Sequence, residues 1–457
     1  MHKLEIKLKQ HTPLIHFQHD QDGATLRASE VKPKLDKFIL TRLGQGNYQA
    51  GIVQAQSNGW LIGKGDHPAL DYKMSINANG EPREYLIASL FSPQKIINNN
   101  RVVQERDLPF TVIRESPFFA QENINSDNKL DKRPVFLKEK SDGENVFVFQ
   151  EDNWDSIGKK GITCGDISLT IVSSHEKLVD KIDPLLADFF ICTNFGTRGN
   201  KGFGSFTIID DENTVLKSLT NNYQFVYSKS VDEKNYSINE VFRIIKDDYQ
   251  KIKAGKNHNG YTKSILFCYA VNKMNEEKQK EGPRWEKRFY KKAVKGKLGY
   301  YKDLFDKGKA PIRHGNGDSH WDDAFNYDYR YIRMMLGFAE QFEFLLKYLQ
   351  RDGNWAKYPD KEKLIVKNKI DGVERFNSPI IFKVINKTIY VVGNDIQKEL
   401  LEKILNKVVN LNYTIGNRSV RVDGQYHLIR TPNAFILSDF MAYAMAEQFH
   451  LGYKKIK

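Results

Sequence analysis

The chain has 457 residues, a length typical of two to four domains, and its 40% hydrophobic and 12% aromatic content excludes a disordered chain. The 70 Lys and Arg residues outnumber the 57 Asp and Glu residues, which gives a formal charge of +13. This excess favours a polyanionic partner, most commonly nucleic acid, although a soluble protein that is simply basic stays open.

The cysteine pattern and the hydropathy exclude further classes. Cys164, Cys192 and Cys268 lie far apart without a C-x-x-C pair, so we expect neither a disulfide framework nor a cysteine zinc site. No signal peptide and no apolar run of about 18 residues is present. The sequence therefore predicts a soluble, cytoplasmic protein that makes no membrane contact.

The chain opens with a predicted strand and a predicted helix. Residues 3–9 alternate strictly, as in a half-buried strand. In the helix that follows, Ser29 is the expected N-cap and Pro33 falls in the first turn. The helix presents an apolar stripe of Val31, Leu35, Phe38 and Ile39, with Lys32, Lys34 and Lys37 beside it.

Residues 44–165 are irregular and rich in Asn, Gly and Asp, with strand-like runs at "EYLIASL" and "NVFVF", and we interpret them as insertions. A strand at 166–174, a helix, a glycine-rich hairpin and the strand "GSFTIID" then follow one another. This order is typical of one half of a ferredoxin-like fold.

A polar stretch near 210–221 is the best domain boundary. Beyond it, the patterns predict a helix in "SINEVFRIIKDDYQKI", a strand in "KSILFCYAV", an apolar helix in "YIRMMLGFAEQFEFLLKYL" and two helices near the C-terminus. Residues 378–393 read as a β-hairpin with Asn386 and Lys387 at its turn.

The segment Phe195–Phe206, "FGTRGNKGFGSF", is the most unusual stretch of the sequence. The P-loop pattern G-x-x-x-x-G-K-[ST] cannot be aligned with it. The pattern G-x-G-x-x-G also fails, because Thr207 stands where the third glycine should be. Bare backbone would let a phosphodiester chain approach closely, whereas an ordinary glycine turn with two solvated bases is the alternative. The residues concerned are Gly196, Arg198, Gly199, Lys201, Gly202 and Gly204.

Three motifs in order resemble the RAMP superfamily of CRISPR-associated RNA-binding proteins. They are the glycine loop "GTRGNKGFGSF", the upstream stretch "TPLIHFQHDQDGATLRASEVKPKLDKFI", and "RMMLG" at 333–337 followed by "RFNSPIIFKV" at 375–384. The loop and the first helix look most similar to the head subunit of the Cmr (type III-B) effector, which lies near the 3′ end of the guide RNA.

This resemblance implies an α+β fold with two ferredoxin-like (RRM-like) domains, inserted loops and an enlarged helical second half. We expect an N-terminal domain over 1–215, with its glycine-rich loop at 196–205, and a second domain over 216–457. It also implies guide RNA, target RNA and other subunits of a type III complex as partners, with no cofactor and no metal. The expected phosphate contacts are Arg27, Lys32, Lys34, Lys37, Arg198 and Lys201.

A second basic segment can be interpreted from its residues alone, without the family resemblance. Between 278 and 302, ten basic residues face two glutamates and are interleaved with aromatic residues. Rings can stack on unpaired bases while cations track phosphates, although an exposed basic helix with inward-facing rings is the alternative. The bases taken as RNA contacts are Arg284, Lys287, Arg288 and Lys291.

An RNA endonuclease is the alternative function. Asp20 and Asp22 lie in a short loop where catalytic subunits of the same superfamily carry an aspartate, and either could hold a metal at the scissile phosphate. His11, His16 and His19 are candidates for metal-free acid/base chemistry. The cluster in "IRHGNGDSHWDD", 312–323, matches no established metal spacing. A third functional hypothesis is a generic RNA-binding module outside CRISPR defence.

Overall fold

The computed structural model divides into two compact units. It describes all residues except 16–24, 64–67, 88–94, 99–100, 105–106, 109, 114–135, 142–143, 151–159, 258–260, 274–283, 294–328, 339, 346, 350–354, 358–362 and 416–417. Unit 1 comprises Met1–Asp247, Ile381–Val392 and Tyr453–Lys457, and unit 2 comprises Asp248–Ile380 and Gly393–Gly452.

The α-helices of the described residues are α1 (Ala28–Leu43), α2 (Tyr48–Ser57), α3 (Glu176–Cys192), α4 (Glu212–Asn222), α5 (Ile238–Lys253), α6 (Ile265–Lys273), α7 (Glu286–Ala293), α8 (Lys398–Ile404) and α9 (Leu437–Ala444). Short 3-10 turns span Glu233–Asn235, Ile332–Leu336, Gly424–Tyr426 and Glu447–Phe449.

The strands that begin before residue 230 are β1 (His2–Gln10), β2 (Leu61–Ile62), β3 (Ala69–Leu70), β4 (Lys73–Ala78), β5 (Arg83–Ile87), β6 (Lys95–Asn98), β7 (Arg101–Val103), β8 (Thr111–Ile113), β9 (Phe136–Ser141), β10 (Glu144–Phe149), β11 (Lys160–Thr163), β12 (Ile167–Ser173), β13 (Phe206–Thr207) and β14 (Phe225–Ser230). The later strands are β15 (Lys256–Asn257), β16 (Tyr261–Thr262), β17 (Arg284–Trp285), β18 (Tyr329–Arg330), β19 (Gln341–Leu345), β20 (Lys347–Leu349), β21 (Trp355–Lys357), β22 (Lys363–Lys369), β23 (Ile381–Ile385), β24 (Thr388–Gly393), β25 (Val408–Ile415), β26 (Arg418–Ser419), β27 (Leu428–Arg430) and β28 (Lys454–Lys455).

The principal sheet of unit 1 is antiparallel and has the order β13-β1-β12-β4. Leu4, Ile6 and Leu8 lie on one face of β1, as the alternation predicts, and α1 and α3 cover that face with Val31, Leu35 and Ile39 and with Leu178, Ile182 and Phe189. Burial of these apolar side chains is the main stabilising contribution to the layer. Smaller sheets, β7-β6-β10-β9 and β11-β5-β8, lie in the predicted insertion region.

The hairpin β23–β24 belongs to unit 1 although it is remote in sequence. The strand order β23-β24-β14-β28 joins it to β14 and to the C-terminal strand. Ile385, Tyr390 and Val392 pack with Ile191 of α3 and with Leu219 of α4 in a second core. The turn at Asn386 has φ of 51°, a left-handed conformation that Asn tolerates, so the predicted hairpin turn is confirmed.

Unit 2 contains the largest sheet, in the order β17-β18-β27-β25-β22-β19 with β26 beside β25. Leu364 and Val366 of β22 and Leu411 and Tyr413 of β25 are buried on its inner face. On the same inner side, Arg333 hydrogen-bonds Glu286, which is fully buried. The first arginine of the third sequence motif therefore holds the start of α7.

Three local predictions are wrong. "KSILFCYAV" forms α6 rather than a strand, because its apolar residues Ile265, Leu266 and Ala270 lie at helical spacing and are buried. Helix α1 begins at Ala28 after Arg27, without a side-chain cap from Ser29, so Pro33 lies beyond the first turn.

The predicted apolar helix over 331–349 is a 3-10 turn followed by β19 and β20. Gly337 has φ of 105°, and a Cβ there would lie 3.1 Å from the backbone nitrogen of Ser378. This conformation ends the helical turn, and the alternation in "QFEFL" then continues as a strand. The second half is thus less helical than expected among the residues described.

The two units do not follow the boundary expected near 215. Helix α4 crosses that position and strand β14 lies beyond it, yet both belong to unit 1, because they complete the core that β23–β24 covers. The chain is a mixed α and β protein with several sheets, as predicted at that level of detail.

Candidate nucleic-acid interface

The glycine loop begins where helix α3 ends, and a buried lysine holds this junction. Lys383 of β23 is 1% exposed, and its Nζ donates to the backbone oxygens of Phe190 at 2.7 Å, Thr193 at 2.9 Å and Phe206 at 3.2 Å. Two of these carbonyls belong to the C-terminal end of α3, where a cation is favourable. Burial lowers the pKa of Lys383 to about 7.

The loop is closed by its own backbone and by the same hairpin. The Phe195 nitrogen donates to the Gly204 oxygen at 2.9 Å, and the Asn194 side-chain amide donates to Gly199 at 2.7 Å and to Phe382 at 2.9 Å. The Phe382 nitrogen in turn donates to the oxygen of Asn200 at 3.2 Å. The segment is therefore an ordered turn with contacts on both sides.

Two of the loop glycines are needed for contacts within the chain. Gly196 and Gly204 have φ of 72° and 63°. A Cβ on Gly196 would lie 2.4 Å from the oxygen of Ile15, and one on Gly204 would lie 1.9 Å from the oxygen of Phe195. At these positions the bare backbone accommodates the protein's own chain, which differs from the expectation that the glycines admit an RNA backbone.

Helix α1 lies against the loop through one face. Glu30 accepts a hydrogen bond from the Gly196 nitrogen at 2.6 Å, and Lys34 donates to Glu30 at 2.9 Å. The ammonium of Lys34 also lies 4.9 Å from the ring centre of Phe195. Lys37 has the i+3 spacing from Lys34 and shares this face of the helix, where it is exposed.

Lys32 is turned away from this face. Its Nζ donates to Asp36 at 2.8 Å and to the Leu70 oxygen at 2.9 Å, and it lies 4.1 Å from the ring centre of Tyr72. These groups engage the ammonium of Lys32 within the chain, and of them only Asp36, at the i, i+4 spacing, is indicated by the sequence pattern.

The remaining predicted bases differ in their exposure. Arg27 is partly exposed at the start of α1, and Arg198 is partly buried in the loop with φ of 62°. Burial lowers the pKa of Arg198 to about 10, so it still carries its charge at neutral pH. The Nζ of Lys201 is buried. Lys34 and Lys37 are thus exposed, whereas Arg27 and Arg198 are partly exposed and the Nη1 of Arg198 is buried.

His11 is unsuited to acid/base chemistry near neutral pH. Its Nε2 lies 2.8 Å from the Thr207 hydroxyl, and its Nδ1 accepts from the Asn386 nitrogen at 3.1 Å. Burial, with Lys383 and Lys9 nearby, lowers the pKa of His11 to about 3. The neutral imidazole connects the end of β1, the strand after the loop and the hairpin turn.

Several predicted site residues lie outside the described residues. They are Asp20 and Asp22 in the first loop, His16 and His19, and the cluster at 312–323. In the described parts of the chain, no group of three or more His, Cys, Asp or Glu side chains is placed to hold a metal, and no helix is long and apolar enough to cross a membrane. The three cysteines are free.

The rings of the second basic segment turn inward where the structure describes them. Tyr290 is fully buried and donates to Asn368 at 2.9 Å, and Phe289 is 9% exposed. These two rings cannot stack on bases, which agrees with the alternative of a basic helix whose rings face inward. The side chains of Arg284, Lys287, Arg288 and Lys291 lie outside the described set.

Sequence reasoning missed Lys383, Asn194 and Glu30, which fix the loop. Each forms a hydrogen bond with a backbone group that is 166 to 193 residues away in the sequence. A charged residue inside an otherwise apolar hairpin strand was the available signal, since "IIFKVI" places Lys383 among buried neighbours.

Two family models match the chain. The Cmr1 N-terminal domain matches residues 1–256, and the Cmr1 C-terminal domain matches residues 261–452. Among solved structures, the apo crystal structure of Cmr1 from Pyrococcus furiosus is similar over 100% of this chain and 99% of that chain, at 10% identity and a TM-score of 0.35. A likeness of that size supports no conclusion about the fold. No curated protein matches the chain.

Proposed function

The chain belongs to the Cmr1 family, and from this premise we propose that it is a non-catalytic, RNA-binding structural subunit that contacts guide RNA near its 3′ region, target RNA, or both in antiviral defence. Membership of the family itself implies a subunit of a type III-B CRISPR (Cmr) complex. The neighbouring subunits and the RNA strands are the proposed partners. Contact with RNA at the head of the complex is the part of this proposal that goes beyond family membership.

The packing of α1 on the glycine loop carries this proposal. Glu30 and Lys34 contact Gly196 and Phe195 directly, and the exposed Lys37 lies one turn further along the same helix face. On this basis we propose that Lys37 and Arg198 contribute to one RNA-binding surface of unit 1. Phosphates bind such bases without regard to sequence, and the affinity falls with salt as counterions are released.

The strand order of unit 1 supports the proposed ferredoxin-like character of the N-terminal domain. The order of elements β1, α1, β4, β12, α3 and β13 is β-α-β-β-α-β, and β1 and β12 are the central strands. For the second domain, we propose a ferredoxin-like fold on the basis of the family resemblance alone.

RNA binding is tested by titrating labelled single-stranded RNA with the full chain across a salt series. Replacement of Lys37 by Gln is expected to weaken binding about fivefold at 0.1 M salt and to reduce the log–log salt slope by about 0.7, the value for one phosphate of a single strand. The control is Lys181→Gln, an exposed lysine on α3 about 16 Å along the helix from its loop end.

An unchanged salt slope in Lys37→Gln would contradict the phosphate contact at this surface. Lys201→Glu is a poor probe, since the buried Nζ makes loss of folding and loss of binding hard to separate. Arg198→Gln is the second arm, and it is expected to weaken binding in the same direction.

The non-catalytic role is tested separately by incubating RNA with the chain in Mg²⁺ and in EDTA. We expect intact RNA in both. Regularly spaced cuts that disappear in EDTA and in Asp22→Ala or Asp20→Ala would establish the endonuclease alternative.

A further inference from the structure

Among the described residues, polar and basic side chains are exposed on the outer face of the large sheet of unit 2. Along β22, Val366 and Asn368 are buried, whereas Lys367 and Lys369 are exposed. Because successive residues of a strand point to opposite faces, the lysines mark the side of the sheet away from the core.

The strand register places these lysines in rows with two asparagines. Lys369 is paired with Asn410, and Lys367 is paired with Asn412, across β22 and β25. Neighbouring strands lie about 4.8 Å apart and alternate residues about 6.7 Å apart, so the four side chains form a compact array. Asn412 is exposed and Asn410 is partly exposed.

The array continues on β27. Leu428 is paired with Asn410, and Arg430 is paired with Val408. Arg430 is exposed, Leu428 is 51% exposed and Val408 is 38% exposed. The residues named here therefore combine three cations and two amides with two apolar side chains, Leu428 on β27 and Val408 on β25.

The charges of this face are largely uncompensated. Among the described residues, the side chains of Lys367, Asn412 and Arg430 make no hydrogen bond or ion pair within the chain. Lys369 lies 3.9 Å from Asp371, and both of these side chains are more than three-quarters exposed, so that ion pair contributes little. The principal sheet of unit 1 differs, since Lys3, Lys7 and Lys9 on its outer face each have a carboxylate within 4 Å.

We infer that this sheet face, defined by Lys367, Lys369, Asn410, Asn412 and Arg430, is a second binding surface for single-stranded RNA. Lysine and arginine would hold phosphates, and the asparagine amides can both donate to and accept from the bases or the sugar hydroxyls. Charge complementarity selects a polyanion, and none of the exposed side chains described on β22, β25 and β27 is a ring, which predicts weak dependence on base sequence. The inference rests on the proposed RNA-binding function but concerns a different surface.

The test uses the full chain and a fluorescent 20-nucleotide oligouridine as the probe. The double variant Lys367→Gln/Lys369→Gln is expected to reduce the log–log salt slope by about 1.4, the sum for two phosphates, and to weaken binding about 25-fold at 0.1 M salt. The matched control Lys398→Gln/Lys403→Gln removes two exposed charges from α8 of the same unit and should leave the slope unchanged.

A second measurement does not depend on substitution. RNA that contains 4-thiouridine is cross-linked to the unmodified chain, and peptides that carry β22, β25 or β27 are expected among the products. Cross-links confined to α1 and the glycine loop, together with an unchanged slope in the β22 variant, would overturn the inference and leave the proposed function intact.

The remaining outcomes are also distinct. If the unmodified chain binds no RNA, the proposed function fails and this inference fails with it. If the β22 variant binds RNA normally but no longer assembles with the other subunits of the complex, the face is a protein interface and the inference is wrong.

Discussion

At the scale of single residues, Lys383 is the side chain on which the glycine loop most depends. Its ammonium donates hydrogen bonds to three carbonyl oxygens, at the end of α3 and in β13, and the side chain is almost fully buried. Replacement by Met would keep the volume but leave these acceptors without a donor, at a cost of about 1–3 kcal/mol for each unsatisfied group, partly offset by the removal of a buried charge.

We therefore expect Lys383→Met to lower the free energy of unfolding in urea by roughly 3 kcal/mol. The control is Lys387→Met, at the turn of the same hairpin, whose ammonium is about half exposed and pairs with Glu233. That pair is exposed to solvent and should contribute little to stability. Equal losses in the two variants would show that Lys383 does not hold the loop.

His11 gives the molecule a predictable response to mild acid. Its pKa is about 3 in the folded state, against 6.5 for an unperturbed histidine, so the unfolded chain binds its proton first as the pH falls. The stability that the neutral ring contributes is complete above pH 6.5 and is lost progressively below it. Between about pH 6.5 and about pH 5 the loss is about 1.5 kcal/mol.

The measurement is the free energy of unfolding by urea at several pH values in that window, for the unmodified chain and for His11→Gln. Glutamine can still accept or donate at the ring positions but does not titrate there. We expect the variant to be less stable at neutral pH and to show a flatter pH profile. Parallel profiles would remove His11 as the source of the acid sensitivity.

At the scale of elements, the glycine loop is a rigid connector fixed between α1, α3 and the hairpin β23–β24. Gly204 is its most constrained position, because φ is positive and the Cβ direction points at a carbonyl. Gly204→Ala would force the backbone of Phe195 to move. The comparison is Gly59→Ala, where φ is also positive but nothing lies within 4 Å of the added carbon.

Gly59→Ala should cost only the strain of the left-handed conformation, about 1 kcal/mol, whereas Gly204→Ala should cost several kcal/mol and disturb RNA binding. Thermal unfolding and the RNA titration report the two effects. A Gly204→Ala variant as stable as Gly59→Ala would mean that the loop tolerates expansion.

The elements show where the sequence was informative and where it was not. Local alternation and helical spacing predicted β1, β12, α3 and the hairpin at Asn386 correctly, because each of these follows from neighbours along the chain. The stretch over 331–349 was misread because its apolar residues satisfy both periods, whereas the positive φ of Gly337 ends the helical turn.

The site was predictable only in outline. The motifs predicted that α1 and the loop contribute to one site, and Glu30 and Lys34 of α1 contact the loop. Tyr290 donates to Asn368, 78 residues away, and Lys32 donates to Leu70, 38 residues away, and no local pattern encodes these two pairings, although the bond of Lys32 to Asp36 has the local i, i+4 spacing. Long-range hydrogen bonds of buried polar groups are thus the part of the site that sequence periodicity leaves open.

At the scale of the whole molecule, unit 1 is assembled from three separated parts of the chain. The region that the Cmr1 N-terminal domain matches ends at 256, yet unit 1 also contains Ile381–Val392 and Tyr453–Lys457. The hairpin contributes Phe382, Val384, Ile389 and Val391, each fully buried. At about 1.5–3 kcal/mol for each such side chain, their removal would cost more than about 6 kcal/mol.

That loss is comparable to the entire net stability of a typical domain, about 5–15 kcal/mol. A fragment of residues 1–256 is therefore expected to lack cooperative unfolding and to expose the core around Ile191 and Leu219. The matched protein joins residues 1–256 through a flexible linker to residues 377–396, which restores the hairpin and Lys383. Circular dichroism melts and dye binding to exposed apolar surface compare the two. If the bare fragment melts as cooperatively as the linked protein, the hairpin is an accessory to unit 1 rather than part of its core, and the loop must hold its shape without Lys383.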